Sequence, residues 1–159
     1  MPHPTYTMLR IQTPEAHLLD GVWALRRVLM AHHHRTPPED RFIQRVTQQL
    51  DDETMFLALA LDGEIPVAYS LAFDVEKHPF MPDWDHAGYI THFIVAADYR
   101  QHGVGEQFLA FVMDWFASRG LSQVMLNVAV ENTAGNHFWR KMGFTPVATR
   151  MHCAVVPQG

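Results

Sequence analysis

Cysteine is almost missing from this chain: Cys153 is the single one in 159 residues. No intramolecular disulfide can form, and no thiolate metal cluster can be built. Positive charge is also short, with 12 Lys and Arg against 17 Asp and Glu and a formal net charge of -5 when the 11 histidines are counted neutral. The basic excess of a general nucleic-acid binder is absent, so no nucleic-acid partner is expected. No apolar run is long enough to span a bilayer, and the opening MPHPTYTMLR lacks the basic-then-apolar layout of a secretory signal. A cytoplasmic protein without a membrane partner is the expectation. Patterns with a dedicated chemistry are missing too. There is no G-x-G-x-x-G, no G-x-x-x-x-G-K-[ST] and no H-E-x-x-H. The run His32 to His34 is internal, and adjacent residues on a helix point in different directions, so no metal is expected there.

What the chain does have is core. Apolar residues make up 48% and charged residues 18%, too apolar for disorder, and the length fits one domain, residues 1–159. YTMLRIQ, residues 6–12, alternates as a first strand. Pro14 and Glu15 suit a helix start, and Leu18, Val22, Leu25 and Leu29 recur at helical spacing through about residue 31. RTPPED interrupts, and Phe42, Ile43, Val46 and Leu50 mark a second helix. A β-hairpin follows, with Leu57, Leu59 and Leu61 alternating before the Asp62-Gly63 turn and Val67, Tyr69, Leu71 and Phe73 after it. Residues 76–87 form a loop with two prolines. GYITHFIV is a strand.

Past a glycine turn, Val104, Phe108, Leu109, Val112 and Phe116 give a helical stripe that Gly120 stops. SQVMLNVAV is a strand with Val124, Leu126, Val128 and Val130 on one face. NTAGNHFWRKMG is a short helix stopped by Gly143, and FTPVATRMHCAVV closes the chain as strand. The order β-α-α-β-β-β-α-β-α-β predicts an α/β (α+β) fold, one mixed sheet with helices packed on it. Trp23 and Trp115 fall in helical patterns as core residues, and Cys153 reads as a small buried apolar residue. Trp84, in a polar loop, is a candidate for lining a binding site.

The turn DYRQHGVGEQF, residues 98–108, carries the chemistry. A strand that feeds a glycine turn opening a helix meets an anion with unsatisfied N–H groups and the positive helix end. Gly103 and Gly105 let the backbone approach a phosphate, and Arg100 adds a charge-assisted contact. Alone, the turn fits an ordinary helix start equally well. A second block, Asn132, then Phe138-Trp139, then Gly143-Phe144, alters that balance. With Arg100, Gln101, His102, Gly103, Val104 and Gly105 matching the family's [RQ]-x-x-G-x-[GA] loop, residues 88–145 resemble the GNAT superfamily of acyl-CoA-dependent N-acyltransferases.

The resemblance implies a GNAT fold and acetyl-CoA as cosubstrate, with no metal. It implies that Phe93, Ile94 and Val95 offer backbone groups to the pantetheine arm, and that the N–H groups from Gln101 to Gly105 hold the pyrophosphate. Asn132 and Asn136 would bond the donor, and Trp139 would lie beside it. The acceptor would be a primary amine of a small molecule or peptide, acetylated by direct attack in a ternary complex. A homodimer through C-terminal strands is a further expectation. Two departures stand out. Trp139 occupies the place of a tyrosine that protonates the departing thiolate in many relatives, and Thr91-His92 replaces an acidic pair of polyamine-type relatives. His92, with an unperturbed pKa near ~6.5, and Glu131 are the candidate general bases, with Asp74 and Glu76 behind them. Tyr89 and Tyr99 replace the missing acid only if the fold turns them inward. The departures also leave room for a CoA-binding protein without turnover, and a nucleotide-binding module unrelated to CoA is a third reading.

Overall fold

The computed structural model describes residues 5–32, 39–77 and 83–159. His33 and His34, most of RTPPED and the middle of the 76–87 loop lie outside them. The elements are β1 (Thr7–Arg10), α1 (Ala16–His32), α2 (Glu39–Gln48), β2 (Met55–Asp62), β3 (Ile65–Glu76), β4 (His86–Val95), α3 (Val104–Ser118), β5 (Val124–Leu126) and α4 (Thr133–Lys141), with a single 3-10 turn at Ala97–Tyr99 before α3. They fall into two compact units, residues 1–127 and 128–159.

The first unit is a five-stranded mixed sheet in the order β1-β2-β3-β4-β5. Neighbours β1 to β4 run antiparallel, and β5 joins β4 in parallel. The hairpin expected at Asp62-Gly63 forms there: Asp62 pairs with Ile65, and Gly63 takes φ +61°, a left-handed conformation that costs glycine little. Strand β2 is buried from Met55 to Ala60, because helices cover both sheet faces. Leu57 and Leu59 join Val22, Trp23, Phe42, Tyr69, Leu71 and Ile94 in one core. On the opposite face Phe56 stacks on Trp115 of α3, with ring centroids 4.8 Å apart. The two core tryptophans expected from the helical pattern, Trp23 and Trp115, are buried.

Close approach of α3 to β4 explains a glycine that the sequence pattern left unmarked. A Cβ on Gly88 would lie 2.5 Å from Cε1 of Phe116. The far end of α3 is tied down by Asp74 of β3, whose carboxylate accepts from Arg119 Nε at 2.8 Å and faces His86 Nδ1 at 3.2 Å. Both glycine stops are as expected. Gly120 (φ +75°) and Gly143 (φ +93°) each close a Schellman motif: Leu121 N–H donates to Phe116 and Phe144 N–H to Trp139, with Gly120 donating to Ala117 and Gly143 to Arg140.

The expected strand over SQVMLNVAV shrinks to Val124–Leu126. Its partner β4 carries an extra residue, Thr91, since Leu71 pairs with His92 and Ala72 with Ile90. The parallel ladder ends at Ile90–Leu126, and past that point the alternation of Val128 and Val130 has no strand to serve. In the second unit, no strand forms over residues 144–159, contrary to the closing strand read from FTPVATRMHCAVV. A strand needs an edge to pair with, and alternation cannot supply one. Met151, Val155 and Val156 are exposed accordingly. Cys153 is exposed with them rather than buried.

Gly88→Ala should push Phe116 from its seat and cost about 1–3 kcal/mol, the usual penalty for overpacking a filled core. Urea unfolding measures it, as a lower midpoint at unchanged slope.

Candidate active site

Strand β4 presents two edges and two faces, each with its own surroundings. Beyond Ile90 no strand among the described residues pairs with it on the β5 side, while pairing with β3 continues to Val95–Ala68. Ala96 N–H donates to Val67 across the β3 side, and His92 C=O accepts from Ser70 Oγ on that side at 2.9 Å. Backbone groups alternate along a strand, so those of Ile94 also face β3. The groups of Phe93 and Val95 face the other way, toward the open edge. Of the three residues expected to offer backbone to an extended ligand, two are aimed at it and Ile94 is not. Arg100 folds back over this edge, donating from Nε to Val95 C=O at 3.0 Å.

The loop that follows has the wiring of an anion site. Gln101 (φ +62°) and Gly103 (φ +81°) take left-handed conformations, which turns successive N–H groups toward one side. Gly103 is the N-cap of α3 and provides no side-chain cap. The first N–H of the helix with a backbone acceptor is that of Gln107, donating to Gly103 C=O at 3.1 Å. Among the described residues no backbone carbonyl accepts from the N–H groups of Gln101, His102, Gly103, Val104 or Gly105. They sit at the positive end of a 15-residue helix. Val104, fully buried, anchors the turn from below, whereas Arg100 and His102 are exposed.

Side chains on β4 divide by face. Phe93 packs on Phe108 of α3, centroids 5.4 Å apart. His92 and Ile94 lie on the α1–α2 face, where His92 meets Arg26 of α1. Nη1 of Arg26 is 3.1 Å from Nε2 and 3.2 Å from Nδ1 of the imidazole. Phe42 of α2 lies under the guanidinium, with Cζ 3.9 Å from its ring centroid, and Tyr69 of β3 meets His92 edge-on at 6.0 Å. Burial first, and the Arg26 charge second, hold the His92 pKa down at about 4. Burial pushes the Tyr69 phenol up to about 12, against an opposing pull from Arg26. The imidazole is therefore neutral across the physiological range, with Arg26 Nη1 within hydrogen-bonding distance of both ring nitrogens.

Arg26 and Tyr69 were not singled out from the sequence, yet a signal was there. Arg26 follows Val22 by four and Trp23 by three on α1, so it stands on the apolar stripe where a charge is out of pattern. Other candidates have structural partners. Asp74 is held by Arg119 and His86, and the exposed Glu76 approaches His86 Nε2 at 3.7 Å. Tyr99 donates to Asp62 Oδ2 at 2.8 Å, a bond that, with burial and the Asp62 charge, raises its pKa. Tyr89 accepts from Asn127 Nδ2 at 2.8 Å. Trp84 is half-buried, next to residues outside the described set.

In the second unit Asn132 is the N-cap of α4, its Oδ1 accepting from Gly135 N–H at 2.9 Å. Asn136 Nδ2 donates to Ala129 C=O at 2.8 Å and to Asn132 C=O at 2.9 Å. Trp139 packs between Phe138 and Phe144, centroids 5.0 and 5.1 Å away. Glu131 is exposed in the turn ahead of the helix.

With this geometry in view, comparison with known proteins is informative. Residues 19–144 match the profile of the acetyltransferase (GNAT) family. The chain belongs to the GNAT family. It is 30% identical over 64 residues to an uncharacterized N-acetyltransferase, YobR, of Bacillus subtilis (strain 168), a match covering 40% of this chain and only 26% of that relative. Among solved structures it resembles the aminoglycoside N-acetyltransferase AAC(6')-Iy in complex with CoA, with a TM-score of 0.80, 17% identity and 95% of each chain covered. It also resembles the aminoglycoside 6'-N-acetyltransferase AAC(6')-Ih of Acinetobacter baumannii, with a TM-score of 0.79, 16% identity and 97% and 100% covered. At such identities the likeness speaks for the fold, and the GNAT fold and family expected from the two sequence motifs are borne out.

Two tests follow. As pH falls from about 6.5 toward 4, the unfolded imidazole takes up a proton that folded His92 refuses, so stability drops in that window, by on the order of 3 kcal/mol in total. The difference between wild type and His92→Gln in denaturant titrations at stepped pH isolates this contribution. The variant's stability should fall less steeply between pH 6.5 and 4. Separately, Asn132→Ala should remove the α4 cap and cost about 1 kcal/mol, read as loss of helical signal at lower denaturant than wild type.

Proposed function

We propose that this GNAT-family protein is an N-acetyltransferase that takes the acetyl group from acetyl-CoA and passes it to a primary amine of a small molecule or peptide. One observation carries the reading. A row of backbone N–H groups, Gln101 to Gly105, stands at the N-terminus of α3, directly after a strand whose edge has no partner strand past Ile90 among the described residues. A pyrophosphate suits the first, and an extended, amide-bearing pantetheine arm suits the second. A donor laid along β4 brings its thioester beside Phe93 and Val95, where a backbone N–H stabilises the oxyanion as it forms.

The transfer is a direct displacement. The amine nitrogen forms the N–C bond, the C–S bond breaks with its electron pair on sulfur, and the proton given up by nitrogen restores the balance as thiol. A thiol with a pKa near ~8.5 leaves without a strong acid, which suits a chain with Trp139 in place of tyrosine. His92 is the first base candidate and Glu131 the second. A neutral imidazole whose pKa is about 4 is a weak base whose one ring lone pair lies within reach of Arg26 Nη1. It therefore takes the proton only as Arg26 yields that nitrogen and as the N–C bond forms and the amine nitrogen grows acidic, rather than stripping an ammonium beforehand. The roles of Asn132, Asn136 and Trp139 toward the donor rest on the family resemblance. So does a homodimer, whereas a cytoplasmic setting and a single functional domain rest on the length and composition of the sequence. No helix among the described residues is long and apolar enough to cross a membrane.

A thermal unfolding series with CoA, acetyl-CoA, ATP and NAD tests the donor. CoA at about a hundred times its Kd should add about 2.7 kcal/mol of stability and raise Tm, with ATP and NAD inert. No shift from either CoA species removes the reading. Thiol release over an amine panel then tests turnover, and CoA binding without release on any amine favours the non-catalytic alternative. In that assay His92→Gln should lower kcat, and Glu131→Gln should not.

A further inference from the structure

We infer that the cluster of Arg26, His92, Tyr69 and Trp23 on the α1–α2 face of β4 binds a carboxylate of the acceptor, so that the preferred acceptor is an amine carrying an anionic carboxylate rather than a polycation. The inference rests on the acetyltransferase reading and narrows it.

The cluster has a surplus of donors and of positive charge. A guanidinium offers five N–H donors and no acceptor. One Arg26 nitrogen is engaged with His92. Its Nε and the indole N–H of Trp23 are buried without a hydrogen-bond partner in good geometry, and the buried Tyr69 hydroxyl beside them is drawn toward the guanidinium, to which it can act as acceptor. Among the carboxylates whose side chains are described, a set that leaves out Glu39 and Asp40, none forms an ion pair with Arg26. Phe42 covers one face of the guanidinium, so any further bond must lie in its plane, the direction in which a carboxylate docks bidentately. Buried donors of one kind, gathered round a fixed positive charge, call for a ligand made of acceptors.

Position ties the cluster to the reaction. Arg26 and His92 form one hydrogen-bonded pair, and His92 directly precedes Phe93, whose backbone faces the edge where the thioester would lie. An amine that approaches that carbonyl from the α1–α2 face would have its neighbouring substituents beside Arg26. A carboxylate there is attracted, and a second ammonium is repelled. Aminoglycosides, the substrates named for the structural neighbours, are polyamines, and this face has the wrong sign for them.

The test compares acids with their own neutral esters. Thiol release is measured for the common α-amino acids, their methyl esters, and a polycationic aminoglycoside, with wild type, Arg26→Gln and Arg26→Lys. In parallel, N-acetyl amino acids and their methyl esters are tried as stabilisers in thermal unfolding, with and without CoA. In wild type the acid form of the best acceptor should have a KM lower than its ester by about tenfold, the size of one lost charge-assisted contact. That acid-over-ester ratio should fall to near one in Arg26→Gln, whatever the change in kcat common to both forms that follows from loss of the charge beside His92, with Arg26→Lys retaining part of it. Equal use of acids and esters, preference for the polycation, or an unchanged ratio in Arg26→Gln overturns the inference. A Tm shift from CoA without acid-over-ester preference rejects the carboxylate site and spares the donor reading. Loss of the CoA shift, with N-acetyl acids still stabilising over esters, does the reverse. Should Arg26→Gln fail to fold, the wild-type ratio and Arg26→Lys decide the matter.

Discussion

Everything distinctive in this molecule follows from the point where one β-ladder stops. Strands β4 and β5 are joined by three residue pairs, and the extra residue at Thr91 ends the pairing. A sheet normally keeps its backbone groups satisfied by its neighbours, and an unpaired edge inside a fold is a liability unless something is meant to complete it. Here the edge leads within a few residues into a turn whose N–H groups lack backbone acceptors and into the positive end of α3. Two deficits of hydrogen bonding lie end to end, and their chemistry differs: a strand edge, then an anion cradle. A long ligand with amides at one end and a charged group further along complements both.

The local parts of this arrangement were legible in the chain. The glycine turn, the stripe from Val104 to Phe116 and the stops at Gly120 and Gly143 are each written within a few consecutive residues, and each folds as its pattern reads. The parts that depend on distant partners were not legible. Alternation in SQVMLNVAV and in FTPVATRMHCAVV says that a strand is permitted, but only a neighbouring edge makes one, and the bulge at Thr91 withdraws it in the first case. The cluster around His92 draws on α1, α2, β3 and β4, so its members stand apart in sequence at residues 23, 26, 42, 69 and 92. No spacing rule links them. Arg26 alone left a trace, as a charge on an apolar stripe.

His92 shows how environment rewrites a residue's meaning. From sequence it is a histidine with a pKa suited to proton transfer at neutral pH. In place it is enclosed by Phe42 and Tyr69 and faces a guanidinium. Both influences disfavour the imidazolium, and they act together because burial lowers the screening between the two groups. The same pairing keeps Arg26 oriented. Neutral histidine is the partner that leaves its charge uncancelled, which a carboxylate would not do.

The alternation along β4 also separates what this scaffold can change from what it must keep. Backbone facing the edge is indifferent to side-chain identity, whereas His92 and its neighbours project to one face and Phe93 to the other. Substitutions on α1 and α2 can therefore redraw the chemistry of that face while the peptide groups proposed to hold the donor remain the same atoms in the same places. On the proposed reading, a gene encoding this strand is free to explore new acceptors one residue at a time without relearning how to bind its donor.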